Sequence, residues 1–155
     1  MMPKTHFLLG ALFAPILYFI FHAGIVNSLI VLFASVLIDI DHYLFYAIGK
    51  NDWKPKNAFN FFLHLRKRFE ALPKHERKKY HTGFFPLHSI EFLAISIFLL
   101  VLGVAGIFTS FLLFVLLGFS FHLVFDMIYE IFIAKRAINK ISLIYTLSAK
   151  RFIGF

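Results

Sequence analysis

From Leu87 to Ala134 the chain runs 48 residues with only Glu91, Asp126 and Glu130 charged. As one helix that run would be about 72 Å long at 1.5 Å per residue, while the hydrocarbon core of a bilayer is only about 30 Å thick. The run must therefore fold back once. Gly103-Val104-Ala105-Gly106 is the natural place, because glycine supplies the turn backbone. Two further apolar stretches precede it, FLLGALFAPILYFIFHAGIV and the segment from Asn27 to Gly49.

Composition agrees with a membrane setting. Hydrophobic residues make up 60% of the 155 and charged ones 15%, against about 25% charged in soluble domains. The expected fold is an all-α integral membrane protein, a four-span helical bundle in one domain over 1–155. The spans fall at about 7–26, 28–48, 87–103 and 107–134. No small-x-small cleavage site follows the first apolar stretch, so it is read as a span and not a signal peptide. There are no cysteines, which excludes disulfides and thiolate metal sites.

The net charge of +8 is concentrated in the polar parts. Ten Lys and Arg lie between Lys50 and Lys79, and five more between Lys135 and Arg151, while the turns 23–27 and 103–106 have none. The positive-inside rule then puts both termini and the central loop in the cytoplasm. The basic residues are read as topology determinants and as contacts to anionic headgroups. No nucleic-acid partner is expected.

Within the central loop, Ala58, Phe61, Phe62, Leu65, Phe69 and Leu72 recur at helical spacing, with Arg66, Lys67 and Arg68 among them. That predicts an amphipathic helix over about 57–72 lying in the membrane interface, or covering the other helices, with Trp53 as an anchor and Pro73 as its stop. The basic segment 135–155 is expected to form a second interfacial helix.

The second span carries Ile38-Asp39-Ile40-Asp41-His42. One ionisable residue at the centre of a membrane helix costs roughly 2.5–3.5 kcal/mol on insertion scales, so three together need partners. On the predicted topology the other polar residues gather at the same leaflet: His6, His81, His88, Glu91, His122, Asp126 and Glu130. His22, His64 and His75 are read as interface or solvent residues.

Asp39/His42, His88/Glu91 and His122/Asp126 are spaced three or four apart, each pair on one helix face. Facing pairs of this kind build metal sites in bundles, and a divalent cation would supply the positive charge that buried carboxylates lack. The expected ligands are His6, Asp39, Asp41, His42, His81, His88, His122 and Asp126, with Glu91 or Glu130 as general base. A sulfur-free N/O set suits zinc, manganese, iron or nickel, with zinc expected first and manganese next. So many donors exceed one tetrahedral site, so two or more ions are expected.

In order along the chain, Thr5-His6, Asp39-Ile40-Asp41-His42, Leu87-His88-Ser89 and His122-x-x-x-Asp126 resemble the membrane-bound metal-dependent hydrolases. That family includes a bacterial SOS-regulated inner-membrane protein and is distantly similar to zinc-dependent phospholipase C. The resemblance implies a multi-pass protein of a prokaryotic inner membrane and hydrolysis of phosphoesters by metal-activated water. A lipid or lipid-linked substrate, reached from the cytoplasmic leaflet, would follow. One departure stands out: His81 is followed by Thr82-Gly83 instead of Arg-Gly and lies seven residues before His88, so Lys78 or Lys79 would replace the arginine at phosphate.

Three other classes compete. A metal-ion or proton transporter would place its site near the midplane, but the external halves of these spans are nearly free of ionisable groups. A haem carrier could use His42 and His122 and would leave the aspartates unexplained. A non-catalytic protein would use the same residues as a structural His/Asp network.

Overall fold

The computed structural model describes residues 3–73, 75–103, 106–129, 142–148 and 151–152. Their regular structure is helical apart from one pairing of two-residue strands. The chain divides into two compact units, Met1–Ile38 with Glu91–Tyr129, and Asp39–Ile90 with Glu130–Phe155.

The first unit holds α1 (Pro3–Phe19), α2 (Ile25–Leu37), α5 (Ile90–Val101) and α6 (Thr109–Ile128). Helix α2 packs against both α1 and α6. Small residues make that possible, as in membrane bundles generally. A Cβ on Gly118 of α6 would lie 2.7 Å from the Ala34 Cβ and 2.7 Å from the Val31 carbonyl oxygen. A Cβ on Gly10 of α1 would lie 2.7 Å from Ser35 Oγ. Both glycines thus admit the same turn of α2, where Val31, Ala34 and Ser35 are buried. Phe13 of α1 stacks on Phe121 of α6 at 4.4 Å, and Phe92 of α5 meets Phe119 at 6.4 Å. The outward faces are apolar: Leu12, Leu37 and Val101 are 69%, 59% and 77% exposed. A helix surface of that kind suits lipid and not water.

Two helical stretches are long and apolar enough to cross a membrane, Ile25–Lys50 and Thr109–Ile128. The other apolar helices are shorter, Thr5–Phe19 and Ile90–Val101. A helix as short as the latter rises only about 18 Å. The first helix stops at Phe19, and a turn with positive φ at His22 and Gly24 follows, so it is shorter than the span predicted over 7–26. The third apolar helix starts at Ile90 because Pro86–His88 forms a 3-10 turn ahead of it. Of the span predicted over 107–134, residues 130–134 lie outside the described residues.

The second unit begins with α3 (Ile40–Lys50), which continues the stretch from α2 after an irregular turn at Ile38–Asp39. Asn51 ends α3 in the left-handed region, φ 50. Asp52 then joins α3 to α4 (Pro55–Ala71): its carboxylate accepts from Tyr46 Oη at 2.6 Å, Asn57 Nδ2 at 2.8 Å and Lys54 N at 3.1 Å. Pro55 occupies the first turn of α4, where its missing N–H costs nothing. Ala58, Leu65 and Phe69 of α4 are buried, and Phe61 packs on Tyr46 at 5.2 Å. The apolar face of α4 is therefore turned onto α3. Arg77 caps its C-terminal end, donating to Leu72 O at 2.9 Å and Glu70 O at 2.6 Å.

Beyond this cap, β1 (Tyr80–His81) pairs in parallel with β2 (Arg151–Phe152). Of the predicted C-terminal helix, α7 (Leu143–Ser148) is described, and the rest of 135–155 apart from Ser142 and β2 lies outside the described residues.

Two outcomes follow. Gly118→Val forces a branched side chain against the Val31 carbonyl and Ala34. Overpacking of this kind costs about 1–3 kcal/mol, so the thermal midpoint in detergent should fall clearly, while Leu12→Ala on the exposed face should leave it nearly unchanged. Equal midpoints would deny the close α2–α6 approach. The Tyr46 hydroxyl, with Asn57 and the Lys54 N–H, holds the Asp52 carboxyl below its ordinary 3.8. Its contribution to stability is therefore full above 3.8 and is lost as pH falls through the lowered value. Trp53, the single tryptophan, is the neighbouring reporter. Asp52→Asn should flatten the acid limb of its emission, and an unchanged limb would mean the junction does not depend on that carboxylate.

Candidate metal centre

In the second unit the polar residues come from the first turn of α3 and from the 3-10 turn Pro86–His88. Asp39 and Asp41 stand at a helix N-terminus, where the unpaired N–H groups and the helix dipole favour negative charge. Asp41 is buried, and its two oxygens are heavily used. Oδ1 lies 2.9 Å from His42 Nδ1 and 3.0 Å from His88 Nδ1. Oδ2 accepts the Leu87 N–H at 3.1 Å. Asp41 therefore fixes the orientation of both imidazoles, the role a carboxylate plays behind metal-bound histidines.

The His88 ring bridges two carboxylates, with Nδ1 on Asp41 and Nε2 3.2 Å from Asp39 Oδ1. Each ring nitrogen donates only when it carries a proton. His88 is 4% exposed, so these two carboxylates stand in for the water it lacks. His42 is held by rings: it stacks on Phe85 at 3.9 Å and 5°, and meets Phe62 and His88 edge-on at 5.3 and 4.4 Å. Gly83, at φ 153, leaves room for the Phe85 ring, into which a Cβ at that position would run. One ligand atom from each of Asp39, His42 and His88 lies within 4.8 Å of the others. This N/O donor set, with a buried carboxylate orienting its imidazoles, fits a divalent cation of the zinc or manganese type.

The first unit holds its own cluster. His6 on α1 is 2% exposed, and its Nε2 lies 3.2 Å from Asp126 Oδ1. His122 on α6 is fully buried, with Nε2 3.7 Å from Asp126 Oδ2. The two imidazoles stack with centroids 3.6 Å apart. Ser35 lies in the last turn of α2, where carbonyls have no partner within the helix. Its carbonyl accepts from His122 Nδ1 at 2.7 Å. That bond assigns the proton to Nδ1 and leaves Nε2 as the nitrogen facing Asp126.

The predicted ligands thus divide between the units: Asp39, Asp41, His42 and His88 in one, and His6, His122 and Asp126 in the other. His81 is half-buried in β1 of the second unit, and its ligand atoms are not among those that Asp39, His42 and His88 bring together. Glu91 is half-buried in the first turn of α5 and belongs to the first unit. Glu130 lies outside the described residues. Sequence reasoning missed Phe85 and Ser35. The signal for Phe85 was a glycine two residues before an aromatic; Ser35 acts through its main chain and left none.

Long apolar helices with lipid-suited faces, and buried His/Asp clusters at their polar ends, define a helical membrane protein. The YdjM inner membrane protein family matches residues 1–135, and the chain belongs to it. That description states a location and no chemistry. Nothing among the curated proteins or the solved structures matches the chain.

Asp41 accepts from His42, His88 and Leu87 at 2.9–3.1 Å, while Asp39 lies 3.2 Å from His88 and 4.0 Å from His42, so the two carboxylates should not be equivalent. Leaving buried donors unsatisfied costs about 1–3 kcal/mol. Asp41→Ala should lower the thermal midpoint in detergent more than Asp39→Ala does. Equal shifts would show that Asp41 is not the hub.

Proposed function

We propose that this protein is a metal-dependent hydrolase of the inner membrane. In this reading it spans the membrane several times with both termini in the cytoplasm, and it cleaves a phosphoester of a lipid or lipid-linked substrate at the cytoplasmic leaflet. The observation that carries the proposal is the approach of Asp39, His42 and His88 ligand atoms to within 4.8 Å of one another, behind which Asp41 orients both imidazoles. The distribution of Lys and Arg supports the orientation.

Asp39, His42 and His88 would hold a zinc or manganese ion. When bound, the ion supplies Lewis acidity and a water acidic enough to attack at neutral pH. Around it the chain's own groups have separate tasks. Asp41 keeps His42 and His88 in register through their Nδ1 atoms. Phe85 and Phe62 shield the His42 ring from water. Without its Nε2 proton, His88 would offer that nitrogen's lone pair to the ion beside Asp39 Oδ1. The general base is left to one of the two carboxylates the sequence offers, Glu91 or Glu130.

A second reading is a structural His/Asp network. It is favoured by the satisfaction of both His88 nitrogens by carboxylates, at 3.0 and 3.2 Å, since such a network can stand without a cation. Elemental mass spectrometry of the detergent-purified protein separates the two. The hydrolase reading expects at least one tightly held zinc or manganese per chain, lost in Asp39→Ala and His88→Ala, followed by phosphoester cleavage by the loaded protein. Protein that stays metal-free after incubation with either ion leaves the network reading.

A further inference from the structure

We infer that the outward face of α4 is a docking surface for the anionic lipid headgroups of the membrane. The inference stands apart from the metal reading and uses none of its residues. Ala58, Leu65 and Phe69 are buried and Phe61 packs on Tyr46, so the apolar stripe of α4 is occupied by the protein itself. This helix cannot sink that stripe into lipid, and any membrane contact falls to its other side. Lys56 and Lys67 are about three turns apart, and both are exposed on the face opposite the buried stripe. Arg68 is exposed on its flank. Glu70 is engaged by Arg66 at 2.9 Å and so does little to offset them.

Charge and connectivity point to the same partner. Between Lys50 and Tyr80 stand ten Lys and Arg against Asp52, Glu70 and Glu76. A segment carrying that excess complements an anionic surface. The stretch Ile25–Lys50 is long and apolar enough to span the membrane, and α4 starts five residues after it ends. The short connection between them reaches at most about 18 Å, which holds the start of α4 close to the headgroups. Trp53 lies in that connection and is exposed, the position of an interfacial anchor.

The single tryptophan makes the test direct. The full-length protein is reconstituted into nanodiscs of phosphatidylcholine, alone or mixed with an equal amount of phosphatidylglycerol, and Trp53 emission is read together with quenching by a headgroup-labelled lipid. Docking predicts blue-shifted emission and stronger quenching in the anionic discs. Both should be reversed near 1 M salt, where screening acts over about 3 Å. The double variant Lys56→Glu/Lys67→Glu should lose the response while its far-ultraviolet circular dichroism stays unchanged, since both side chains are exposed. Identical emission in the two lipids at low salt overturns the inference. So does a lipid response that persists in the folded double variant, or a response to duplex DNA in neutral discs in place of one to phosphatidylglycerol.

Discussion

The irregular turn at Ile38–Asp39 governs both polar clusters. In an unbroken helix every carbonyl and N–H of this stretch would be consumed by its own backbone. The turn ends α2 and starts α3. Upstream, Ser35 lies in a last turn, and its carbonyl fixes the His122 imidazole. Downstream, a new helix N-terminus receives Asp39 and Asp41 where negative charge is favoured. Each aspartate in the two clusters lies within 3.2 Å of an imidazole nitrogen, which is how buried charge escapes the desolvation penalty.

Tight packing in the first unit depends on small residues for a related reason. Helices with apolar outer faces gain little from hydrophobic burial against each other in lipid. Close van der Waals contact must do more of the work, and a missing Cβ allows it. Gly118 and Gly10 are each placed against the turn of α2 that ends at Ser35. The same approach that packs the helices brings His122 within 2.7 Å of the Ser35 carbonyl. A larger residue at Gly118 would therefore disturb packing and histidine orientation together.

The helical class and the membrane character were legible in the sequence, because both follow from run length and charge density, which are local quantities. The long apolar stretches at 25–50 and 109–128 were visible for that reason. Helix ends were less so. The span predicted to start at Leu87 begins at Ile90, because Pro86–His88 forms a 3-10 turn and Ser89 is extended, a local geometry held in part by Asp41, which accepts the Leu87 N–H from 46 residues away. The pairing of His88 with Asp39 and Asp41 was suggested only by shared polarity. The stacking of Phe85 on His42 depends on backbone conformation at Gly83 and on no periodic pattern, so the glycine two residues earlier is its one trace in the sequence.

Helix α4 shows where amphipathicity alone stops short. Its spacing of Ala58, Phe61, Phe62, Leu65 and Phe69 describes an apolar face and leaves open what covers it, lipid or protein. The cover is decided by chain connections outside the helix. The Asp52 junction ties its first turn to Tyr46, and Arg77 holds its last carbonyls. With both ends tied, the apolar stripe meets α3, and Phe62 reaches the His42 ring. Once that face is filled, the lysines opposite are outward by geometry. The basic character of this segment is then a property of a surface the fold has built, and no longer only a statement about composition.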